Sequence, residues 1–217
     1  MDLSLPQIIA VSILPLLFGI TVHEVAHGWV AKQLGDPTAM MLGRLTLNPI
    51  KHIDPIGTLL VPGILLILGG FVFGWAKPVP VTYENLRHPR RDMALVAVAG
   101  PASNLLMALI WALIAKVGFM LMGPDTNWLA VPLILMGGTG VTFNLVLMVL
   151  NMLPIPPLDG GRIVSSLLPP PLAWKYGQIE PFGFIILIAL IATQVLGKIL
   201  APAVGLFEAG IYKIFGL

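Results

Sequence analysis

The stretch IIAVSILPLLFGITVHEVAHGWVAKQL, residues 8–34, decides the architecture of the chain. It is long enough to cross a bilayer, because a spanning helix needs roughly 20 mainly apolar residues. It also carries His23, Glu24 and His27 in its second half. Ionisable side chains inside a membrane segment are costly and are functional by default. The sequence therefore opens with a predicted membrane helix that carries reactive groups.

The overall composition extends this interpretation to the whole chain. Of 217 residues, 57% are apolar and 10% are charged, whereas a soluble domain has about 25% charged residues. A single membrane-embedded domain over residues 1–217 is predicted. The net charge of +2 is small, so nothing indicates nucleic-acid binding. Because cysteine is absent, any metal must be held by His, Asp or Glu.

Three further segments complete the set of predicted spans, and the last is expected to end or kink near Lys198. Residues 1–7 lack a basic residue ahead of the apolar run, so we expect no removable signal peptide. The four predicted spans cover residues 8–34, 93–122, 128–150 and 182–206.

A fifth apolar segment, residues 56–75, determines the topology. It is interrupted by Pro and Gly, which favours a segment that dips into the membrane and returns. The basic loops then share one face, which the positive-inside rule makes cytoplasmic. The predicted fold is therefore an all-α polytopic membrane protein. It has about four to five transmembrane helices, a re-entrant segment and a short extended piece at residues 77–81.

The motif His23-Glu24-Val25-Ala26-His27 carries the first part of the chemistry. On a helix, its two imidazoles lie one turn apart on one face, which suits two ligands of a tetrahedral zinc site. Glu24 can then accept a proton from water at the metal. The alternative is a pair of structural core histidines, which would leave Glu24 unexplained.

The second motif, NMLPIPPLDGG at residues 151–161, offers a third ligand in Asp159. A catalytic zinc site uses three protein ligands and one open position. Three prolines break the helix before Asp159, and Gly160 and Gly161 permit a close approach of the backbone. The alternative is an ordinary aspartate at the start of a helix.

Together with GPASN at residues 100–104, these two motifs resemble the site-2 protease family of intramembrane zinc metalloproteases. The order of the motifs matches the family, and the resemblance covers nearly the whole chain. It is greatest to the short prokaryotic type, which has no PDZ or CBS domain.

The resemblance implies one zinc ion per chain, held by the two motif histidines and Asp159, with Glu24 as general base. Asn104 and Asn151 match family positions that support the substrate strand or the active site, and either could stabilise the oxyanion. The substrates implied are transmembrane proteins within the lipid bilayer. A prokaryotic plasma membrane, with the active site toward the cytoplasmic side, is the expected location.

Two other functions are compatible with the sequence. In a metal-ion transporter, ionisable residues would follow a path through several helices, whereas here they cluster at one depth. A homologue that binds transmembrane helices without cutting them would not need Glu24. We also expect either the extended piece, residues 77–81, or the re-entrant segment to pair with an unwound substrate as an added strand.

Overall fold

The computed structural model describes residues 4–61, 64, 74 and 76–217, which are helical apart from turns and irregular loops. No strand occurs within these ranges. Short 3-10 turns lie at Pro49–His52 and Tyr83–Asn85, and a π-helical turn lies at Pro55–Leu60. The α-helices of the described part are α1 (Leu5–Gln33), α2 (Thr38–Met41), α3 (Pro89–Met120), α4 (Asn127–Asn151), α5 (Asp159–Leu167), α6 (Pro170–Gly177), α7 (Glu180–Ala192) and α8 (Val195–Phe215).

Four of these helices, α1, α3, α4 and α8, are long and apolar enough to cross a membrane. The pair α6 and α7, bent by 57°, can form a fifth span. The prediction of an all-α polytopic membrane protein with four to five spanning helices is therefore confirmed. The first three predicted spans coincide with α1, α3 and α4 to within a few residues.

The fourth predicted span, residues 182–206, is wrong as a single helix. The chain breaks at Gln194, whose φ of 59° lies in the left-handed region, and the Thr193 hydroxyl donates to the Ala189 carbonyl at 2.7 Å. The end or kink predicted near Lys198 lies instead at Gln194, four residues earlier, and Lys198 itself lies inside α8. Apolar composition continues across the break, so hydropathy did not reveal it.

The predicted re-entrant segment, residues 56–75, lies largely outside the described residues. Its start, residues 56–60, belongs to the π-helical turn, and of the remainder only residues 61, 64 and 74 are described. Residues 76–82 form neither helix nor strand, in keeping with an extended piece that has no strand partner in the described part of the chain.

Helix α3 lies at the centre of the fold and packs against α1, α4 and α5. Its contact with α4 is close because glycine faces larger side chains. A Cβ added at Gly137 would lie 2.6 Å from the Cβ of Ala115, and one at Gly140 would lie 2.3 Å from Trp111. Small residues allow such close packing between membrane helices. The close contact also brings Asn144 of α4 next to Asn104 of α3.

Candidate metal centre

Three buried side chains from two distant parts of the chain, those of His23, His27 and Asp159, meet next to α3. The Nε2 atoms of His23 and His27 are 3.0 Å apart, and each lies 3.2 Å from Oδ2 of Asp159. All three residues are at most 7% exposed. This is the group that could hold a metal ion among the described residues.

Local structure explains how the three meet. The histidines are four residues apart in α1, so both rings project from one face. Asp159 is the first residue of α5, after the chain has turned back beyond the end of α4. A Cβ at Gly160 would lie 2.3 Å from the Met152 carbonyl oxygen. The predicted need for glycine in this turn is therefore confirmed.

The outer nitrogens of the two imidazoles fix where their lone pairs point. Nδ1 of His27 lies 2.7 Å from the carbonyl oxygen of Val96, which can only accept a hydrogen bond. Nδ1 of His23 lies 2.6 Å from Oδ1 of Asn104. In neutral rings both Nδ1 atoms therefore carry the hydrogen. Both Nε2 atoms then direct lone pairs at one another and at Asp159.

Three acceptor atoms at this separation repel one another unless a cation lies between them. Oδ2 of Asp159 is buried and has no hydrogen-bond partner among the residues that the structure describes, and such an orphaned polar atom is costly. Ligand atoms bound at 2.0–2.1 Å in a tetrahedral zinc site stand about 3.3 Å apart. Two imidazole nitrogens and one carboxylate oxygen at 3.0–3.2 Å therefore fit a zinc ion.

Helix α3 shapes the centre through residues spaced by four. Val96 supplies a carbonyl to His27, and Asn104 supplies an amide oxygen to His23. Gly100, between them on the same face, leaves the space that the rings occupy. A Cβ there would lie 2.4 Å from Nε2 of His27. Sequence analysis missed the roles of Val96 and Gly100, although the GPASN motif contained a signal for Gly100.

Glu24 is partly buried next to the two histidines. Its Oε2 accepts a hydrogen bond from the backbone N–H of Val79 at 2.7 Å. Gly28 allows this approach, because a Cβ there would lie 2.7 Å from Cγ1 of Val79. The extended piece, which sequence analysis placed at residues 77–81, therefore lies directly against the candidate general base.

Both ends of this extended piece are held by side chains from the loops that follow α1. At its start, Arg44 Nη2 donates to the Lys77 carbonyl at 2.8 Å. At its end, the Thr82 N–H donates to Oδ2 of Asp36 at 2.7 Å. Asp36 is fully buried. The position of Val79 over Glu24 is thus set by two anchors outside the membrane helices.

The two candidate asparagines occupy different environments. Asn104 is fully buried, and both of its amide hydrogens are used, one by the Gly19 carbonyl and one by Asn144. This arrangement leaves no Asn104 donor for an oxyanion. Asn151 is partly buried at the end of α4, and among the described residues its amide donates only to the Leu147 carbonyl, at 3.0 Å. Its second amide hydrogen has no acceptor within that part of the chain.

Sequence comparisons connect this geometry to known proteins. The chain is 39% identical over 211 residues to a Bacillus subtilis protein named "Putative zinc metalloprotease YwhC", an alignment that covers 94% of this chain and 90% of that protein. It is 30% identical over 206 residues to a Mycobacterium tuberculosis protein with the same description and the name Rip2, covering 93% and 71%.

A Rip2 protein from Mycolicibacterium smegmatis is 29% identical over 186 residues, which cover 84% of this chain and 66% of that protein. No protein-family model matches the chain. No solved structure matches it either.

Proposed function

The chain belongs to the zinc metalloprotease family of YwhC and Rip2, and on this premise we propose that it is an intramembrane protease of the site-2 type. It hydrolyses peptide bonds of transmembrane or membrane-proximal segments. One observation carries the proposal: Asp159 and the two motif histidines converge, buried, and the histidines lie in the second half of α1, a helix long and apolar enough to cross a membrane.

In this proposal His23, His27 and Asp159 hold one zinc ion. When bound, zinc supplies a Lewis acid that acidifies water and polarises a carbonyl. The protein supplies the geometry. The outer nitrogens of both rings are already engaged, so each ligand nitrogen is held in position before metal arrives.

Glu24 is the general base. The Val79 N–H holds Oε2 of Glu24, which leaves Oε1 for the proton of the attacking water. Of the two asparagines, only Asn151 has an amide hydrogen without a partner in the described part of the chain, and we assign it the oxyanion role.

The substrate segment must unwind, because helical carbonyls are bonded within the helix. A cavity of about 740 Å³ lies between the extended piece and α5–α6, and its lining includes Val79, Val81, Gly161 and Arg162. The N–H of Val81 makes no hydrogen bond among the described residues. An unwound substrate can therefore add to this edge as a strand.

We place the active site toward the cytoplasmic side of a prokaryotic plasma membrane. The support is electrostatic. Arg87 precedes α3, and Arg90 and Arg91 lie in its first turn, at the end nearest the metal centre. Basic residues concentrate on cytoplasmic faces.

The proposal is tested with purified wild type and Glu24→Gln. We expect the variant to retain zinc and to lose cleavage of a model transmembrane substrate by at least about 100-fold, the usual scale of general-base catalysis. Glu208→Gln is the matched control, since Glu208 lies in α8 and pairs with Thr142 rather than with the metal centre.

Three outcomes are informative. Wild type that contains no zinc, or a Glu24→Gln enzyme that cleaves normally, contradicts the proposal. Zinc transport into vesicles that survives Glu24→Gln indicates a transporter instead. Wild type that binds zinc and substrate but never cleaves indicates a helix-binding homologue.

A further inference from the structure

Two fully buried asparagines connect the metal centre to the interior of the helix bundle. Asn104 of α3 accepts at Oδ1 from Nδ1 of His23, at 2.6 Å. Its Nδ2 donates to the Gly19 carbonyl at 3.1 Å and to Oδ1 of Asn144 at 3.0 Å. Asn144 in turn donates to the Gly140 carbonyl at 2.9 Å. The chain of hydrogen bonds joins α1, α3 and α4.

Backbone carbonyls fix the direction of every bond in this chain. The Gly140 and Gly19 carbonyls can only accept, so each must face an amide NH2 group. Oδ1 of Asn144 then faces Asn104, and Oδ1 of Asn104 faces His23. The reversed amide orientations would place two acceptors in contact. His23 must therefore carry its hydrogen on Nδ1.

This arrangement places the lone pair of His23 on Nε2, the atom directed at Asp159. A neutral imidazole can carry its hydrogen on either nitrogen, and the partner of one nitrogen determines the state of the other. For His27 the partner is the Val96 carbonyl, which no side-chain substitution removes. For His23, the nitrogen that carries the hydrogen is set by two side chains, those of Asn104 and Asn144.

We propose that Asn104 and Asn144 are positioning residues that hold His23 as the Nδ1–H tautomer, with Nε2 ready to bind the metal. Asn104 acts on the ligand directly, and Asn144 acts by orienting Asn104. Outer-shell partners of metal-binding histidines commonly contribute 10–100-fold in metal affinity. The inference rests on the proposed function for the identity of the metal.

The competing explanation is that the asparagines only hold helices together, as buried amides often do in membranes. A role in helix packing would not depend on which nitrogen of His23 carries hydrogen. Thr142→Val is the matched control, because it removes an α4–α8 hydrogen bond, to Glu208 at 2.9 Å, two residues from Asn144. This substitution leaves the hydrogen bonds that run from Asn144 through Asn104 to His23 unchanged.

The experiment measures zinc affinity by chelator competition, and the tautomer by 15N NMR of histidine-labelled, metal-free protein. Only four histidines are present, so signals can be assigned by single substitutions. Asn104→Leu should weaken zinc binding by roughly 10–100-fold and shift His23 toward Nε2–H. Asn104→Asp should return His23 toward Nδ1–H, because a carboxylate oxygen still accepts from Nδ1. Its second oxygen replaces the donor to the Gly19 carbonyl and to Oδ1 of Asn144, so zinc affinity should recover only in part.

Asn144→Leu should weaken zinc binding and shift the His23 tautomer in the same direction but by less. If Asn104→Leu does not fold, Asn144→Leu is the variant that tests the inference. The inference is overturned if these variants bind zinc like wild type, or if Thr142→Val weakens binding equally. His23 found as Nε2–H in metal-free wild type also overturns it. Wild type that binds no zinc contradicts the proposed function instead, so the two failures are distinguishable.

Discussion

Gly100 shows how a residue without a side chain can determine a metal site. It faces both imidazoles, and a Cβ would lie 2.4 Å from Nε2 of His27 and 2.5 Å from Cε1 of His23. Real Cβ atoms do not approach other atoms so closely. The rings must therefore move if any other residue stands at position 100.

We predict that Gly100→Ala lowers zinc affinity by at least roughly 10-fold, the scale of outer-shell changes. Helix content by circular dichroism should stay unchanged. Gly138→Ala in α4 is the matched control, because a Cβ there meets nothing within 4 Å. Equal zinc affinity in the two alanine variants would show that the rings can adjust.

The backbone N–H of Val79 is the second residue-scale feature, because it holds Glu24. Val79→Pro removes this donor. We expect a lower kcat on every substrate, including short peptides, with zinc content preserved.

Val81→Pro provides the comparison, since the Val81 N–H has no partner in the described part of the chain. If substrate adds as a strand at this edge, Val81→Pro should raise KM for long substrates and leave kcat for short peptides unchanged. Identical kinetic profiles for the two proline variants would argue against separate roles.

At the scale of elements, Asp36 connects the end of α1 to the end of the extended piece. Its carboxylate accepts from Thr38, Thr82 and Asn85. Burial acts to raise the pKa of Asp36, but these hydrogen bonds outweigh it and hold the pKa below its ordinary value. The unfolded state therefore binds a proton more readily than the folded state.

The sign of the pH dependence follows. The contribution of Asp36 to stability is fully present above about pH 4, the ordinary pKa range of aspartate. It is lost as the pH falls through the lower pKa of the folded protein. We predict that Asp36→Asn increases protease cutting within residues 76–88 at neutral pH. The variant should lack the acid-dependent increase that wild type shows below pH 4; a parallel increase in both would contradict this.

At the scale of the whole molecule, the metal centre requires α1 and α4 to run in the same direction. Asp159 follows the end of α4 by eight residues and meets histidines in the later half of α1. The α3–α4 loop then lies at the opposite face. Lys116 near that loop donates to the Gly216 carbonyl at 3.4 Å, which brings the end of α8 to the same face.

The absence of cysteine makes this topology directly testable. Single cysteines at Glu84 and Asp125, both exposed, should react with a membrane-impermeant thiol reagent from opposite sides of the membrane. A cysteine introduced at Gly216 should be labelled from the same side of the membrane as one introduced at Asp125. Labelling of positions 84 and 125 from one side would exclude the arrangement of spans described above.

The sequence by itself determined that most of the chain lies in lipid, and it identified the reactive groups. Apolar runs predicted α1, α3 and α4, because lipid requires long apolar helices. Spacing singled out the two motif histidines, since helical periodicity is local. A break in the last span was expected near Lys198, but its position at Gln194 was not predicted, because it depends on one backbone conformation rather than on a change in hydropathy.

Only the tertiary structure decided how these groups are arranged. The space at Gly100, the Val96 carbonyl, the Asn144–Asn104 chain and the N–H of Val79 all act on residues far away in sequence. The physical reason is that hydrogen bonding and close packing depend on distances of about 3 Å across helices. Local patterns in a sequence do not encode such distances, and the packing of α1, α3 and α4 sets them.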